Sequence, residues 1–226
     1  MEIVYNNGME NRVKRTILPT ANGNMPLTDE EKLQVIEEAT AAYEKFLDAL
    51  RIDWRNDPNS DGTPRRVAKA YVNDLAAGCY NELPNITAFP SDGYDGMVFQ
   101  GGIPVKSLCS HHHLAFTGVA HVAYIPASDG KVIGLSKLNR IVEHYARRPQ
   151  IQEGLTTQIH EAINSICEKN LGVAVQVSAT HTCACNRGVK HDGCEMKTSR
   201  LSGEFLADGD TRREFYDFVN QWYQNR

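Results

Sequence analysis

Three consecutive histidines follow a cysteine in the segment Cys109-Ser110-His111-His112-His113, and a second pair of the same residue types, His181-Thr182-Cys183, lies much further along the chain. Neutral imidazole and thiolate are ligands that zinc prefers. A tight turn over the first segment can supply two ligands, and the second pair would then close the site. The spacing therefore predicts a split metal site.

The number of protein ligands distinguishes structural from catalytic zinc. A structural site normally has four, whereas a catalytic site has three and keeps one position open for water. We predict three ligands, Cys109, His112 and Cys183. This choice leaves His111 and His181 beside the metal, and imidazole is the side chain best suited to moving protons near neutral pH.

The second pair falls at the end of an alternating segment. Residues 173–183 alternate apolar with small or polar side chains at period two, which predicts a strand. His181 and Cys183 would then share one face of that strand. If the strand continues, Cys185 lies on the same face, either as an alternative ligand or as a buried thiol.

Residues 134–140 turn from a strand into a helix and carry Lys137 and Arg140 three apart on one helical face. A helix N-terminus with two cations beside it favours phosphate, and Ser136 is free to cap. Arg187, together with Arg66 and Lys69 on an earlier helix, could extend this into a cationic pocket suited to a triphosphate. Folding or assembly would have to bring them together.

The adjacent pair Gln152-Glu153 begins the next predicted helix. An amide and a carboxylate match the hydrogen-bonding edge of guanine, which presents N1–H, the 2-amino group and O6. The sequence lacks a Walker A loop, G-x-G-x-x-G, G-x-S-x-G and the P-C-x-x-C of zinc deaminases. A nucleotide, if bound, is therefore held differently.

Composition sets the broad class of the protein. The chain has 226 residues, 41% hydrophobic, with a formal net charge of −4, so we expect a globular protein with no general attraction to nucleic acid. It has no long apolar run and no export signal at its start, so we expect a cytoplasmic protein without a membrane span. The cysteines are then free thiols or ligands, with Cys79 and Cys167 buried.

The pattern of elements predicts an α+β protein in which two helices back one face of a mostly antiparallel sheet. Thr28 and Glu31 form a predicted capping box, and Thr63 a predicted cap for a second helix. We predict a flexible arm over 1–27, an N-terminal helical region over 28–95 and a catalytic domain over 96–226. The predicted strands cover 97–99, 115–124, 131–133 and 173–183, and the later helices cover 136–147 and the residues from Pro149 onward.

Four segments, 109–112, 132–140, 148–153 and 181–183, closely resemble GTP cyclohydrolase I in type and order, and 63–69 and 121–126 also look like family segments. The resemblance covers roughly residues 28 to 205. It implies the tunnelling fold, in which antiparallel sheets from several subunits close into a barrel. It also implies a homodecamer of two stacked pentamers with active sites at subunit interfaces.

The resemblance implies a zinc enzyme that opens the imidazole ring of GTP, releases C8 as formate and closes a new ring to give 7,8-dihydroneopterin triphosphate. His111 would protonate N7 and His181 would move protons at the water, roles that could be exchanged. Ser136 would lie near the ribose, while Gln152 and Glu153 read guanine. The remaining substrate-binding positions are Leu135, the triphosphate residues Lys137, Arg140 and Arg187, and Arg66 and Lys69, which reach a neighbour's site.

Three departures from the family pattern leave alternatives open. Ser110 stands where many relatives have Glu, His113 stands where they have a bulky apolar residue, and the middle of 185–199 differs. One alternative is a related zinc enzyme that stops at a ring-opened formamide or takes a modified or deoxy-guanine nucleotide. Another is a nucleotide-binding module without turnover. The sequence does not choose between folate, biopterin and 7-deazaguanine pathways for the product.

Overall fold

The computed structural model describes residues 2–3 and 15–225. Part of the predicted arm, residues 4–14, lies outside the described residues. The strands are β1 (Glu2–Ile3), β2 (Arg15–Thr16), β3 (Ala88–Pro90), β4 (Val98–Cys109), β5 (Ala115–Pro126), β6 (Lys131–Ile133), β7 (Pro149–Gln150), β8 (Asn170–His181) and β9 (Glu195–Leu201). The helices are α1 (Asp29–Ala49), α2 (Thr63–Ala70), a π-helical turn (Tyr71–Leu75), α3 (Ala77–Tyr80), α4 (Leu135–Ala146), α5 (Gln152–Ile166), α6 (Thr182–Cys185), α7 (Glu204–Ala207) and α8 (Gly209–Gln224).

A five-stranded sheet in the order β7-β4-β5-β8-β9 forms the centre of the fold. The four longer strands, β4, β5, β8 and β9, pair antiparallel with one another, and only the short β7 pairs parallel, with β4. Helices α4 and α5 pack on the main core cluster, with Leu138, Ile141 and Ile159 buried against the sheet. The predicted α+β class, with an antiparallel sheet backed by two helices and preceded by a helical segment, is confirmed.

Both faces of the central strands are covered, which explains why the second half of β5 is buried without a polar alternation. The face opposite α4 and α5 is covered by α7 and α8. There Phe205, Phe215 and Val219 pack with Ala123 and Ala174 of the sheet. Neither α7 nor α8 was predicted, although Asp208 caps α8 by accepting from two backbone N–H groups.

The predicted N-terminal cap is present at α1 but not at α2. The capping box at α1 is present, since Thr28 accepts from the Glu31 amide and the Glu31 carboxylate accepts from the Thr28 amide. The predicted cap at Thr63 is wrong. Gly62 is the N-cap of α2 and Thr63 is already helical, with Pro64 tolerated in the first turn because no intrahelical donor is needed there.

Two predicted elements near the site need correction. The strand predicted over 173–183 ends at His181, and Cys183 lies in the short helix α6, so the two residues do not share a strand face. The helix predicted from Pro149 begins at Gln152 instead. Pro149 and Gln150 pair with Leu108 and Cys109, because a proline in extended backbone is accepted at the end of a short edge strand.

Cys79 and Cys167 are buried thiols, as predicted. Burial raises the pKa of each thiol to about 11. Because the thiolate is the reactive form, we expect iodoacetamide to label both at least ~100-fold more slowly than an ordinary thiol in the native protein. Peptide mass spectrometry after timed labelling checks this, with the half-buried Cys185 and Cys194 as internal controls. Equal labelling of Cys167 and Cys194 would contradict the burial.

His144 lies buried in α4, with its Nε2 against an N–H of Arg148. Burial, with a smaller contribution from the Arg148 charge, lowers the pKa of His144 to about 4. The unfolded chain binds this proton below about pH 6.5, so the stabilisation is complete above that pH and is lost as the pH falls toward 4.

We therefore expect acid to destabilise the wild type more than His144→Gln, whose side-chain oxygen can still accept from Arg148. The expected extra loss in the free energy of unfolding between pH 7 and pH 5 is about 1–2 kcal/mol. Urea denaturation at fixed subunit concentration across this range measures it. Parallel curves for the two proteins would show that His144 does not titrate on unfolding.

Among the residues that the structure describes, no helix has both the length and the apolar character needed to cross a membrane.

Candidate metal and nucleotide site

A tight turn joins β4 to β5 and carries the three histidines. The Cys109 amide donates to Leu114 O at 2.8 Å, and the His113 amide donates to Cys109 O at 2.8 Å. His113 adopts a left-handed conformation with φ of 52°, which is uncommon for a residue with a side chain. The turn leaves His111, His112 and His113 exposed while Cys109 is buried at the strand end.

Strand register brings the second pair to the same place. Phe116, close to the start of β5, lies opposite His181 at the end of β8. The hydroxyl of Thr182 then donates to Ala115 O at 2.7 Å, which fixes the start of α6 against β5. As a result, the sulfur atoms of Cys109 and Cys183 and a ring nitrogen of His181 all lie within 4.8 Å of one another. These three residues are called the metal group below.

The electrostatics of this group fit a cation. Burial raises the pKa of Cys183, and the adjacent Cys109 thiol raises it further, because two thiolates side by side repel. Burial lowers the pKa of His181, which favours the neutral ring, although the Glu153 charge opposes this shift. Two sulfurs and one neutral imidazole nitrogen are a donor set typical of zinc, and a bound divalent cation would stabilise both thiolates.

The other predicted ligand, His112, lies apart from this group. Its Nε2 accepts from the Arg187 guanidinium at 2.7 Å, and both side chains are exposed. His111 is nearer, with Nδ1 3.6 Å from Cys109 Sγ. The structure thus brings together two of the three predicted ligands, and the histidine beside them is His181, which was predicted to move protons.

The predicted guanine-reading pair separates into a buried and an exposed residue. Gln152 is fully buried and its Oε1 accepts from His181 Nε2 at 2.9 Å. Glu153 is exposed at the first turn of α5. Only Glu153 is therefore open to a ligand in this conformation.

The residues at the start of α4 lie at the other end of the sheet. Gly134 is the N-cap without a side-chain bond, so Ser136 does not cap, and Leu135 and Ser136 are exposed. Lys137 Nζ donates to Asn85 O at 3.2 Å. Arg140 lines a cavity of about 290 Å³ together with residues of α3, the π-helical turn and α4.

The separation follows from strand geometry. Ile133, just before α4, bonds to the Tyr124 hydroxyl, whereas the metal group lies beside Phe116 at the opposite end of β5. From the rise per residue of a strand and of a helix, the start of α4 lies on the order of 20–30 Å from the metal group of the same chain. The family resemblance would put the ribose near Ser136 and C8 near the metal, and these parts of one nucleotide are only a few bonds apart, so the two roles would require segments from different chains.

The basic residues of α2 are exposed, and Arg66 donates to Asn59 O at 3.0 Å. Lys69 lies one turn further along the same helix. The following π-helical turn reaches the histidine turn, where Tyr71 and His113 stack with ring centroids 6.0 Å apart and planes at 22°. The π-helical turn that continues α2 therefore contacts the histidine turn of its own chain.

Sequence reasoning did not identify Phe116 as a site residue. Its ring stacks on His181 with centroids 4.5 Å apart and planes at 8°, and its side chain is fully buried. Apolar alternation in β5 marks Phe116 as core, and only the register between β5 and β8 shows which ring it supports.

The sequence is similar to those of one enzyme family over most of its length. A family profile described as "GTP cyclohydrolase I" matches residues 39–220. A GTP cyclohydrolase 1 of Streptomyces griseus subsp. griseus is 46% identical over 187 residues, covering 81% of this chain and 90% of that protein. Those of Flavobacterium johnsoniae and Streptomyces coelicolor are 41% and 42% identical, covering 89% and 86% of this chain and 87% and 97% of theirs. Among solved structures, an archaeosine synthase QueF-Like in the apo form matches with a TM-score of 0.39 and 20% identity, covering 47% of this chain and 93% of that one.

Proposed function

The chain belongs to the GTP cyclohydrolase I family, and from this premise we infer that it hydrolyses GTP to 7,8-dihydroneopterin triphosphate and formate. The structural observation that carries this inference is the convergence of Cys109 at the end of β4 with His181 and Cys183 at the junction of β8 and α6, on the two sides of β5. Two thiols can hold a zinc ion that activates water, and imidazoles beside them can move protons, which together suit hydrolysis at a ring carbon.

We propose zinc as the metal, held by Cys109, Cys183 and His112. Bound zinc supplies Lewis-acid activation of water near neutral pH. The two thiols are supported by their proximity, and His112 by its place in the same turn as Cys109. Its exposed ring accepts one hydrogen bond from an exposed Arg187 and contacts the exposed ring of His111, so a rotation toward the sulfurs breaks only solvent-exposed contacts. Metal content of His112→Ala against His181→Ala decides which ring is the third ligand.

The remaining histidines act on protons in this proposal. His111, with Nδ1 close to the Cys109 sulfur, donates to N7 of the purine as the ring opens. His181, fixed between Phe116 and Gln152, accepts and returns a proton at the attacking water. The exposed Glu153 carboxylate binds the guanine edge, where it accepts from N1–H and the 2-amino group.

We propose that the complete site forms between subunits. Ser136 near the ribose, Lys137, Arg140 and Arg187 around the triphosphate, and Leu135 beside them belong to the substrate site, with Arg66 and Lys69 reaching a neighbour's nucleotide. Because the start of α4 lies far from the metal group of its own chain, a second copy must supply it.

Sheet edges support assembly into the homodecamer that the family implies. In the described part of the chain, β9 pairs with β8 alone and β4 pairs on its outer side with β7 at two positions only. Open edges of this kind are commonly closed by another chain. We also propose a cytoplasmic location, since all six cysteines are free and two must be thiolates to bind metal.

Product analysis tests the proposed reaction. We expect purified, metal-quantified protein to release one formate per GTP consumed and to yield a product that becomes a fluorescent pterin after oxidation. A parallel incubation with dGTP tests the effect of Ser110, His113 and the altered segment 185–199. GTP consumption without formate would indicate a ring-opened formamide product, and tight GTP binding without consumption would indicate a binding module.

A further inference from the structure

Gln152, the first residue of α5, has a side chain whose orientation is fixed by its surroundings. The side chain is fully buried. Its Nε2 lies 2.9 Å from Met196 O, 3.1 Å from Val177 O and 3.2 Å from Thr198 Oγ1. Backbone carbonyl oxygens only accept hydrogen bonds, so the amide nitrogen must face them. The amide oxygen is therefore directed the other way, toward His181.

This orientation determines where His181 carries its hydrogen. Gln152 Oε1 lies 2.9 Å from His181 Nε2, and an amide oxygen can only accept. Nε2 must therefore be the donor. In the neutral ring the other nitrogen, Nδ1, is then unprotonated and available as a base or a ligand.

A second contact fixes the plane of the same ring. Phe116 stacks on His181 with planes at 8°, and Phe116 itself is fully buried. One neighbour thus restrains the ring plane while the other selects the protonated nitrogen. A restrained ring is what a residue that acts beside a metal group requires.

We propose that Gln152 is a positioning residue for His181: it selects the Nε2–H tautomer and so leaves Nδ1 unprotonated in a ring that lies beside Cys109 and Cys183. The proposal rests on the proposed function for its catalytic consequence, but not for the tautomer itself. It assigns Gln152 a role different from reading guanine, since contact with a purine would require the amide to leave two backbone carbonyls, a threonine and His181.

A matched control lies one helical turn away. Thr156 Oγ1 donates to Gln152 O at 2.9 Å and lies 2.6 Å from Thr198 Oγ1, so it belongs to the same buried network. None of the described hydrogen bonds joins it to His181. Thr156→Val removes the hydroxyl at nearly constant volume and reproduces the structural disturbance without removing the acceptor for His181.

The test is the 15N spectrum of protein labelled at the imidazole nitrogens, with the His181 signals assigned by their absence from His181→Asn. We expect the wild type and Thr156→Val to show the Nε2–H tautomer. Gln152→Leu should show a mixture or the Nδ1–H form. Gln152→Met removes the same acceptor with a side chain of similar length and should also show a mixture or the Nδ1–H form, so the proposal stays testable if the leucine variant does not fold.

Steady-state kinetics separate positioning from substrate reading. We expect Gln152→Leu to lower kcat by about 10–100-fold while KM for GTP changes less than about 3-fold. An unchanged His181 tautomer, or a rise in KM at constant kcat, would overturn the proposal and return Gln152 to guanine recognition. If the wild type itself releases no formate, the proposed function fails, while the spectra still decide whether Gln152 selects the tautomer.

Discussion

Cys183→Ala is expected to bind less than a tenth of the metal that the wild type binds and to release formate from GTP at no more than about a thousandth of the wild-type rate. The loss follows because Cys183 supplies one of only two sulfur ligands in the group. A site left with one thiolate has neither the charge nor the ligand number to retain zinc. Metal analysis of the purified variant and a formate assay measure both effects.

The neighbouring Cys185→Ala is the matched control. Cys185 belongs to the same short helix and is half-buried like Cys183, yet it lies outside the metal group. We expect it to keep its metal and most of its activity. Loss of metal from Cys185→Ala with retention in Cys183→Ala would mean that the two cysteines have exchanged roles. Full activity in Cys183→Ala would remove the metal group from the mechanism.

Two inactive chains are expected to restore activity when they assemble together. Cys183→Ala removes the metal half of a site, and the double variant Lys137→Ala/Arg140→Ala removes the half at the start of α4. Because these halves lie far apart in one chain, each site combines the metal group of one chain with the start of α4 of another. In a mixed oligomer, some sites therefore combine the intact metal group of the double variant with the intact α4 start of Cys183→Ala. Random mixing at equal amounts should restore about a quarter of wild-type activity.

Co-expression with two affinity tags, followed by sequential purification of mixed oligomers, measures this recovery. Mixing Cys183→Ala with Cys109→Ala is the control, because both variants damage the same metal group and no combination repairs it. Recovery only in the first mixture supports sites formed between subunits. A mixture no more active than its better parent would indicate that each chain completes its own site.

The structure brings Cys109 and Cys183 together, as the sequence predicts, because ligand chemistry limits which residues can serve. Two cysteines and several histidines in short motifs had few other uses, and antiparallel pairing of β5 with β8 brings them together. The choice between His112 and His181 was harder to predict. The position of each ring depends on individual side-chain contacts, with Arg187 for His112 and with Gln152 and Phe116 for His181, and no periodic pattern in the sequence predicts such contacts.

The long strand β4 shows why part of the fold was not predicted. The sequence pattern predicts a strand over 97–99 only, although β4 extends to Cys109. Its register shifts between Gln100 and Ile103, and Gly102 has a positive φ of 72°. Such an irregularity resets the alternation of side chains, so the period-two signal breaks within the strand. Proline and lysine in the second half weaken the pattern further.

The burial of Gln152 could not be predicted from the sequence either. A glutamine next to a glutamate at a helix start is normally exposed, and the pair read as two equivalent polar residues. Met196 and Thr198, which help to hold the amide, lie on β9, a strand that was not predicted. Because β9 was not predicted, the sequence analysis contained no partner that could bury the Gln152 amide.

Zinc removal and return tests the central claim most directly. The protein is stripped with a chelator, dialysed and titrated with zinc, while bound metal and formate release from GTP are followed together. We expect negligible formate from metal-free protein and full recovery at one zinc per chain, with no recovery in Cys183→Ala at the same zinc concentration. Formate release by the metal-free protein at the wild-type rate would contradict the central claim.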